Sequence, residues 1–212
     1  MVKPSPYHEQ LFIAGPAGQL EAELSVPDAY QTGDAVAVVC HPHSLYGGSL
    51  RNKVVHILAD TLTDMGVASL RFNFRGVGKS PGEFDQGQGE QDDLHAAVCW
   101  LKEHFPQAPL WLAGFSFGAF VAYRAHRRVG AERLLLVAPP VSLFGFGQPE
   151  PVIIPWLVIQ GSEDEITPAE DVENWVASQP SPPVFHLMAD ASHFFHGRLN
   201  DLRDLLQQNW GR

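Results

Sequence analysis

Ala35-Val36-Ala37-Val38-Val39-Cys40 is six apolar residues in succession, and that continuity admits few folds. A strand with one wet face alternates apolar and polar residues. A strand apolar throughout must be covered on both faces, as in a parallel sheet flanked by helices. Val67 to Phe74, Leu110 to Phe115, Leu134 to Ala138, Trp156 to Gln160 and Val184 to Met188 read as further strands. Helical patterns fall between them. Val54, Leu58, Leu62 and Met65 lie at helical spacing, with Gly66 as the stop, and Leu94, Ala97, Val98, Leu101 and Phe105 mark a second helix. Ser116 to Arg128 reads as a third. Thr167-Pro168-Ala169-Glu170 reads as a capping box opening a fourth, which presents Val172, Trp175 and Val176. Leu199, Leu202, Leu205 and Leu206 mark the closing helix. The alternation predicts an α/β fold, a mostly parallel sheet with helices on both faces. Ahead of it, Leu11 to Ala14 and Gln19 to Ser25 predict an antiparallel hairpin. Its second strand alternates Leu20, Ala22 and Leu24 against Glu21 and Glu23, as a half-exposed edge would. All 212 residues, 1–212, are expected to form one domain.

Composition narrows the partners. Net charge is −10 and no cluster of Lys and Arg marks a basic face, which argues against nucleic acid. No apolar run approaches membrane-spanning length. Met1 to Gln10 has no apolar core, so no signal peptide is read there, and a cytoplasmic location is expected. Cys40 and Cys99 fall in a strand and a helix and are expected to be buried free thiols.

Gly114-Phe115-Ser116-Phe117-Gly118 joins one of these strands to the helix after it. A serine at such a turn has a strained backbone, and a β-carbon two residues to either side would clash, so glycines flank it. The turn lifts the hydroxyl off the sheet and points a helix N-terminus at the place where an oxyanion would form. A serine hydroxyl also needs a base, and the base needs a carboxylate to orient it. Both should follow later strands. Gly161-Ser162-Glu163-Asp164-Glu165 supplies Asp164, preferred over Glu163 and Glu165 for its place three residues past the Gly161 turn. Ala189-Asp190-Ala191-Ser192-His193 supplies His193, preferred over His196, which lies where the closing helix is expected to begin. Asp190 reads as a turn residue. Gly76-Val77-Gly78-Lys79-Ser80 is no phosphate loop, because position 73 is Asn where that motif needs glycine. It reads as a turn, with Arg75 anchoring the loop.

Together these features resemble a compact bacterial α/β-hydrolase, near the dienelactone-hydrolase-like and carboxylesterase members. The resemblance runs from about Pro27 to about Asn209 and is carried by His41-Pro42-His43 with Gly47-Gly48, by Asn73 to Ser80, by the serine turn, by Gly161 to Asp164 and by His193-Phe194-Phe195. It implies Ser116, Asp164 and His193 as a catalytic triad, with no cofactor and no metal. One departure bears on the oxyanion hole. The family's loop begins His-Gly, whereas here it begins His41-Pro42, and proline has no N–H to donate. By analogy the two donors are the N–H groups of His43 and Phe117, with Ser44 in reserve. His41 and His43 lack the companion ligands a metal would need.

The segment Pro139 to Pro155 has no room for the helical lid of larger relatives, so an open site is expected. Phe115, Phe117, Phe144, Phe146 and Trp156 are candidates for its apolar wall, or for the core. The resemblance implies a serine hydrolase acting on a small-molecule carboxylic ester or thioester. Amide or peptide hydrolysis by the same residues and a non-catalytic binding protein on the same fold are the alternatives. A homodimer is left open beside the monomer.

Overall fold

The structure is a computed structural model and describes residues 7–210; the expectation that Met1 to Gln10 is no signal peptide falls partly outside them, at residues 1–6. The strands are β1 (Tyr7–Gly15), β2 (Gly18–Val26), β3 (Val36–Cys40), β4 (Ala68–Phe72), β5 (Leu110–Phe115), β6 (Arg133–Val137), β7 (Trp156–Gly161) and β8 (Val184–Met188). The helices are α1 (Lys53–Asp64), α2 (Gln88–His104), α3 (Phe117–Val129), α4 (Ala169–Ala177) and α5 (Leu199–Asn209).

All eight strands form one sheet in the order β1-β2-β4-β3-β5-β6-β7-β8. β1 and β2 are antiparallel, as are β2 and β4, and every later pair is parallel. The apolar runs explain this. All five residues of β3 are buried, and alternate ones face opposite sides. Val36, Val38 and Cys40 join a core with α2, α3 and α4, while Ala37 and Val39 join a second core with α1 and α5. Each large aliphatic side chain so enclosed contributes about 1.5–3 kcal/mol relative to exposure.

The order of strands fixes the place of a crevice. From β3 the chain crosses by α1 to β4 on one side, and from β5 it crosses by α3 to β6 on the other. The loops leaving β3 and β5 therefore part to opposite faces, and ligands bind at such a switch point.

Three local expectations are corrected. β2 is not an edge: it lies between β1 and β4, and β1 is the outer strand. Its alternation reports one wet face, not a missing neighbour. Thr167 does not cap α4. Pro168 occupies that position, and the buried Thr167 hydroxyl has no hydrogen-bond partner among the described residues. Cys40 is buried, but Cys99 is exposed on α2.

Candidate active site

The turn after β5 holds Ser116 at φ 53°, ψ −122°, a backbone that L residues seldom adopt. Such strain costs about 1–3 kcal/mol and persists only where surroundings enforce it. Here the Ser116 N–H donates to the Val137 carbonyl at 2.8 Å, and its carbonyl accepts from the Ala119 N–H. A Cβ on Gly114 would sit 2.2 Å from the Gly118 carbonyl oxygen. A Cβ on Gly118 would sit 2.3 Å from the Cys40 carbonyl oxygen, so the start of α3 rests directly on the end of β3. That contact brings the loop after β3 beside the serine.

The structure brings the three expected residues into one hydrogen-bonded chain. Ser116 Oγ is 3.0 Å from His193 Nε2, and His193 Nδ1 is 2.8 Å from Asp164 Oδ2. The carboxylate can only accept at Nδ1, so Nδ1 carries the proton and Nε2 presents a lone pair to the hydroxyl. Asp164 Oδ1 accepts the N–H groups of Ile166 at 2.9 Å and Thr167 at 2.7 Å. Burial pushes the Asp164 carboxyl up. The bonds from His193 and the Thr167 amide, the charge of His193 and the Ile166 amide outweigh that and hold it below the usual carboxylate value.

The rival residues have other tasks. Glu165 accepts the backbone N–H of His193 at 3.1 Å, which fixes the loop carrying the imidazole. Glu163 is exposed. His196 is exposed too, with its ring 5.9 Å from that of Phe194, and it lies three residues ahead of α5, which begins at Leu199 rather than beside it. Asp190 occupies a turn at φ 53°, as expected. Arg75 anchors its loop through paired bonds to Asp93.

Two residues acquire roles that the sequence reading did not assign. Gln160, fully buried at the end of β7, donates through Nε2 to Asp164 Oδ2 at 2.9 Å and to the Thr167 carbonyl at 3.0 Å. An amide side chain closing an otherwise apolar strand was the available signal. His41, also fully buried, accepts the Phe74 N–H at Nε2, 3.0 Å away, and so must donate from Nδ1 to the Pro42 carbonyl at 2.6 Å. Both ring nitrogens are thus occupied, which removes His41 as a metal ligand. Burial draws its pKa down to about 4, against the opposing pull of the Pro42 bond.

The His43 carbonyl accepts from the N–H groups of Tyr46 and Gly48 and closes the loop on itself. The N–H groups of His43 and Phe117 have no hydrogen-bond partner among the described residues. A pocket of about 330 Å³ opens over Ser116, with Pro42, His43, Phe117, Phe144, His193 and Phe194 in its wall. Of the five candidate aromatics, Phe117 and Phe144 line it, whereas Phe115, Phe146 and Trp156 are core. Phe115 backs the site from below, 5.2 Å from the His193 ring. No helix crosses the mouth from residues 138–155.

Comparison with known proteins identifies the family. The family described as "Serine aminopeptidase, S33" matches residues 34–144. A Xanthomonas campestris protein described as an α/β serine hydrolase without lid is 43% identical, with a TM-score of 0.91 over 95% of this chain and 93% of that one. An α/β serine hydrolase homologue from Coxiella burnetii is 45% identical, with a TM-score of 0.91 over 95% and 97%. An uncharacterised Rickettsia prowazekii protein is 37% identical over 95% of this chain and 91% of its own length.

Proposed function

Because this chain belongs to the α/β serine hydrolases, among compact members without a lid, we propose that it cleaves a small carboxylic ester or thioester through an acyl-enzyme on Ser116. The observation that carries the reading is the unbroken chain from Ser116 Oγ through His193 to Asp164, at 3.0 and 2.8 Å.

On this reading His193 Nε2 takes the hydroxyl proton as Ser116 Oγ attacks the substrate carbonyl carbon. The carbonyl oxygen becomes an oxyanion, held by the N–H groups of His43 and Phe117. His193 then gives its proton to the departing alcohol or thiol, leaving the acyl-enzyme. Water attacks the acyl carbon with His193 as base, and the acid leaves as Ser116 regains its proton. Asp164 stays ionised, holds the Nδ1–H tautomer and balances the imidazolium. The site lining carries no carboxylate that would hold a peptide's N-terminal ammonium, which favours esters over aminopeptidase substrates.

Turnover of a nitrophenyl ester tests the assignment. Ser116→Ala is expected to lose at least about 10³-fold in kcat, and Asp164→Asn about 10³- to 10⁴-fold, with melting temperatures little changed. Activity of Ser116→Ala within about tenfold of the wild type would refute it.

A further inference from the structure

The pocket over Ser116 is built for one sign of charge, namely none. Its lining includes no Lys, Arg, Asp or Glu. Its outer wall is apolar: Tyr46, Leu143 and Ile166 line it and are 86%, 58% and 40% exposed. They come from three separate loops, after β3, β6 and β7, that converge on one mouth. Large apolar side chains left in water around a reactive group have a use when a substrate covers them.

Four cations of the surrounding loops are engaged elsewhere, and Lys53, exposed at the start of α1, is not part of the lining. Arg51 faces Glu21, Arg75 is paired with Asp93, Lys79 lies over the Phe12 ring, and Arg198 is paired with Asp201. The charges held against His193 are negative: Asp164 at its ring, with Glu165 on the backbone of the same residue. A carboxylate or phosphate entering this pocket would lose its hydration without gaining a cation, in a field already negative.

Resting on the serine-ester reading above, we propose that the substrate carries an uncharged, apolar acyl group, seated against Phe144 and Phe194 and reaching the rim of Tyr46, Leu143 and Ile166. Esters whose acyl group bears a free carboxylate are rejected. The pocket, about 330 Å³ and open at its mouth, has room for an aryl or medium-length alkyl acyl group.

The test compares 4-nitrophenyl methyl glutarate with 4-nitrophenyl hydrogen glutarate at pH 7.5 (a working pH of about 7 to 8 keeps the second ionised). The two share a leaving group and differ in charge at the far end of the acyl chain. The neutral ester is expected to be favoured on the order of 100-fold in kcat/KM. Leu143→Arg, on an exposed position, is expected to narrow that ratio at least about tenfold, and Ile166→Arg serves as a second such variant. If the two esters are cleaved within about threefold of each other while a fluorophosphonate labels Ser116, the charge selection is overturned and the serine-ester reading stands. A ratio unmoved by both arginine variants would also overturn it. If neither ester is cleaved and Ser116 takes no label, both fall together.

Discussion

At His41, two hydrogen bonds decide where an amide two residues away points. The peptide joining Pro42 to His43 is planar and trans, so its C=O and N–H point in opposite directions. His41 Nδ1–H draws the Pro42 oxygen inward at 2.6 Å, which turns the His43 N–H away from the core, where the proposed oxyanion forms. The Phe74 N–H, at 3.0 Å, keeps Nε2 unprotonated and so keeps the proton on Nδ1. Two replacements separate these bonds. The amide nitrogen of asparagine falls near Nδ1 and can hold Pro42; the amide oxygen of glutamine falls near Nε2 and can hold Phe74. His41→Asn is expected to retain kcat within about tenfold, whereas His41→Gln loses about 10²-fold or more with little change in KM, as expected for a misdirected oxyanion donor. The reverse ranking would contradict the role. The same histidine makes stability depend on pH. Its folded pKa lies below the unfolded value, so its contribution is present above about 6.5 and is lost as pH falls toward about 4. Denaturant unfolding at pH 7 and pH 4.5 should show that loss in the wild type and a smaller one in His41→Asn.

Among the elements, the junction of β5 and α3 carries the site, and Gly118 is its tightest point. A methyl group there would meet the Cys40 and His41 carbonyl oxygens at 2.3 and 2.6 Å, both backbone atoms that cannot swing aside. Gly118→Ala is therefore expected to push α3 off β3, to cost about 1–3 kcal/mol, and to separate the His43 and Phe117 amides. Calorimetry and turnover should fall together; an alanine variant with wild-type melting temperature and kcat would show that the contact is slack. These glycines were legible because the turn needs them on steric grounds. So were the strands, because a run like Val36 to Cys40 can be nothing but doubly covered. The misread elements share a cause. Thr167 followed by Pro168 satisfies the local rule for a cap, yet the Thr167 N–H is claimed by Asp164, a tertiary partner. Alternation in β2 encodes which side chains face water, not that β1 and β4 flank it. Gln160 carried a signal, an amide near the end of an apolar strand, but its bond to Asp164 depends on how the next loop folds back; His41 was unreadable as a support because its partner Phe74 comes beside it only in the folded sheet.

For the whole molecule, the sheet order places Ser116, Asp164 and His193 on one edge from three distant stretches of chain, and the serine's position at the switch point follows from that order. The residue types and their succession were legible; the neighbours β7 and β8 that set Asp164 against His193 were not. A Cβ on Gly161 would lie 2.3 Å from the Ala191 carbonyl oxygen, so the loop after β8 packs directly on the end of β7. The protein, net charge −10, holds a pocket lined without a cation, which is why anionic substrates are expected to fail at the mouth. The central claim is that Ser116 is the nucleophile. Treat the wild-type protein with a fluorophosphonate, then measure intact mass and map the modified peptide. The account predicts one adduct per chain, on Ser116, with loss of esterase activity in step and no adduct on Ser116→Ala. Ester hydrolysis by a protein that takes no adduct, or takes it at another residue, would contradict it.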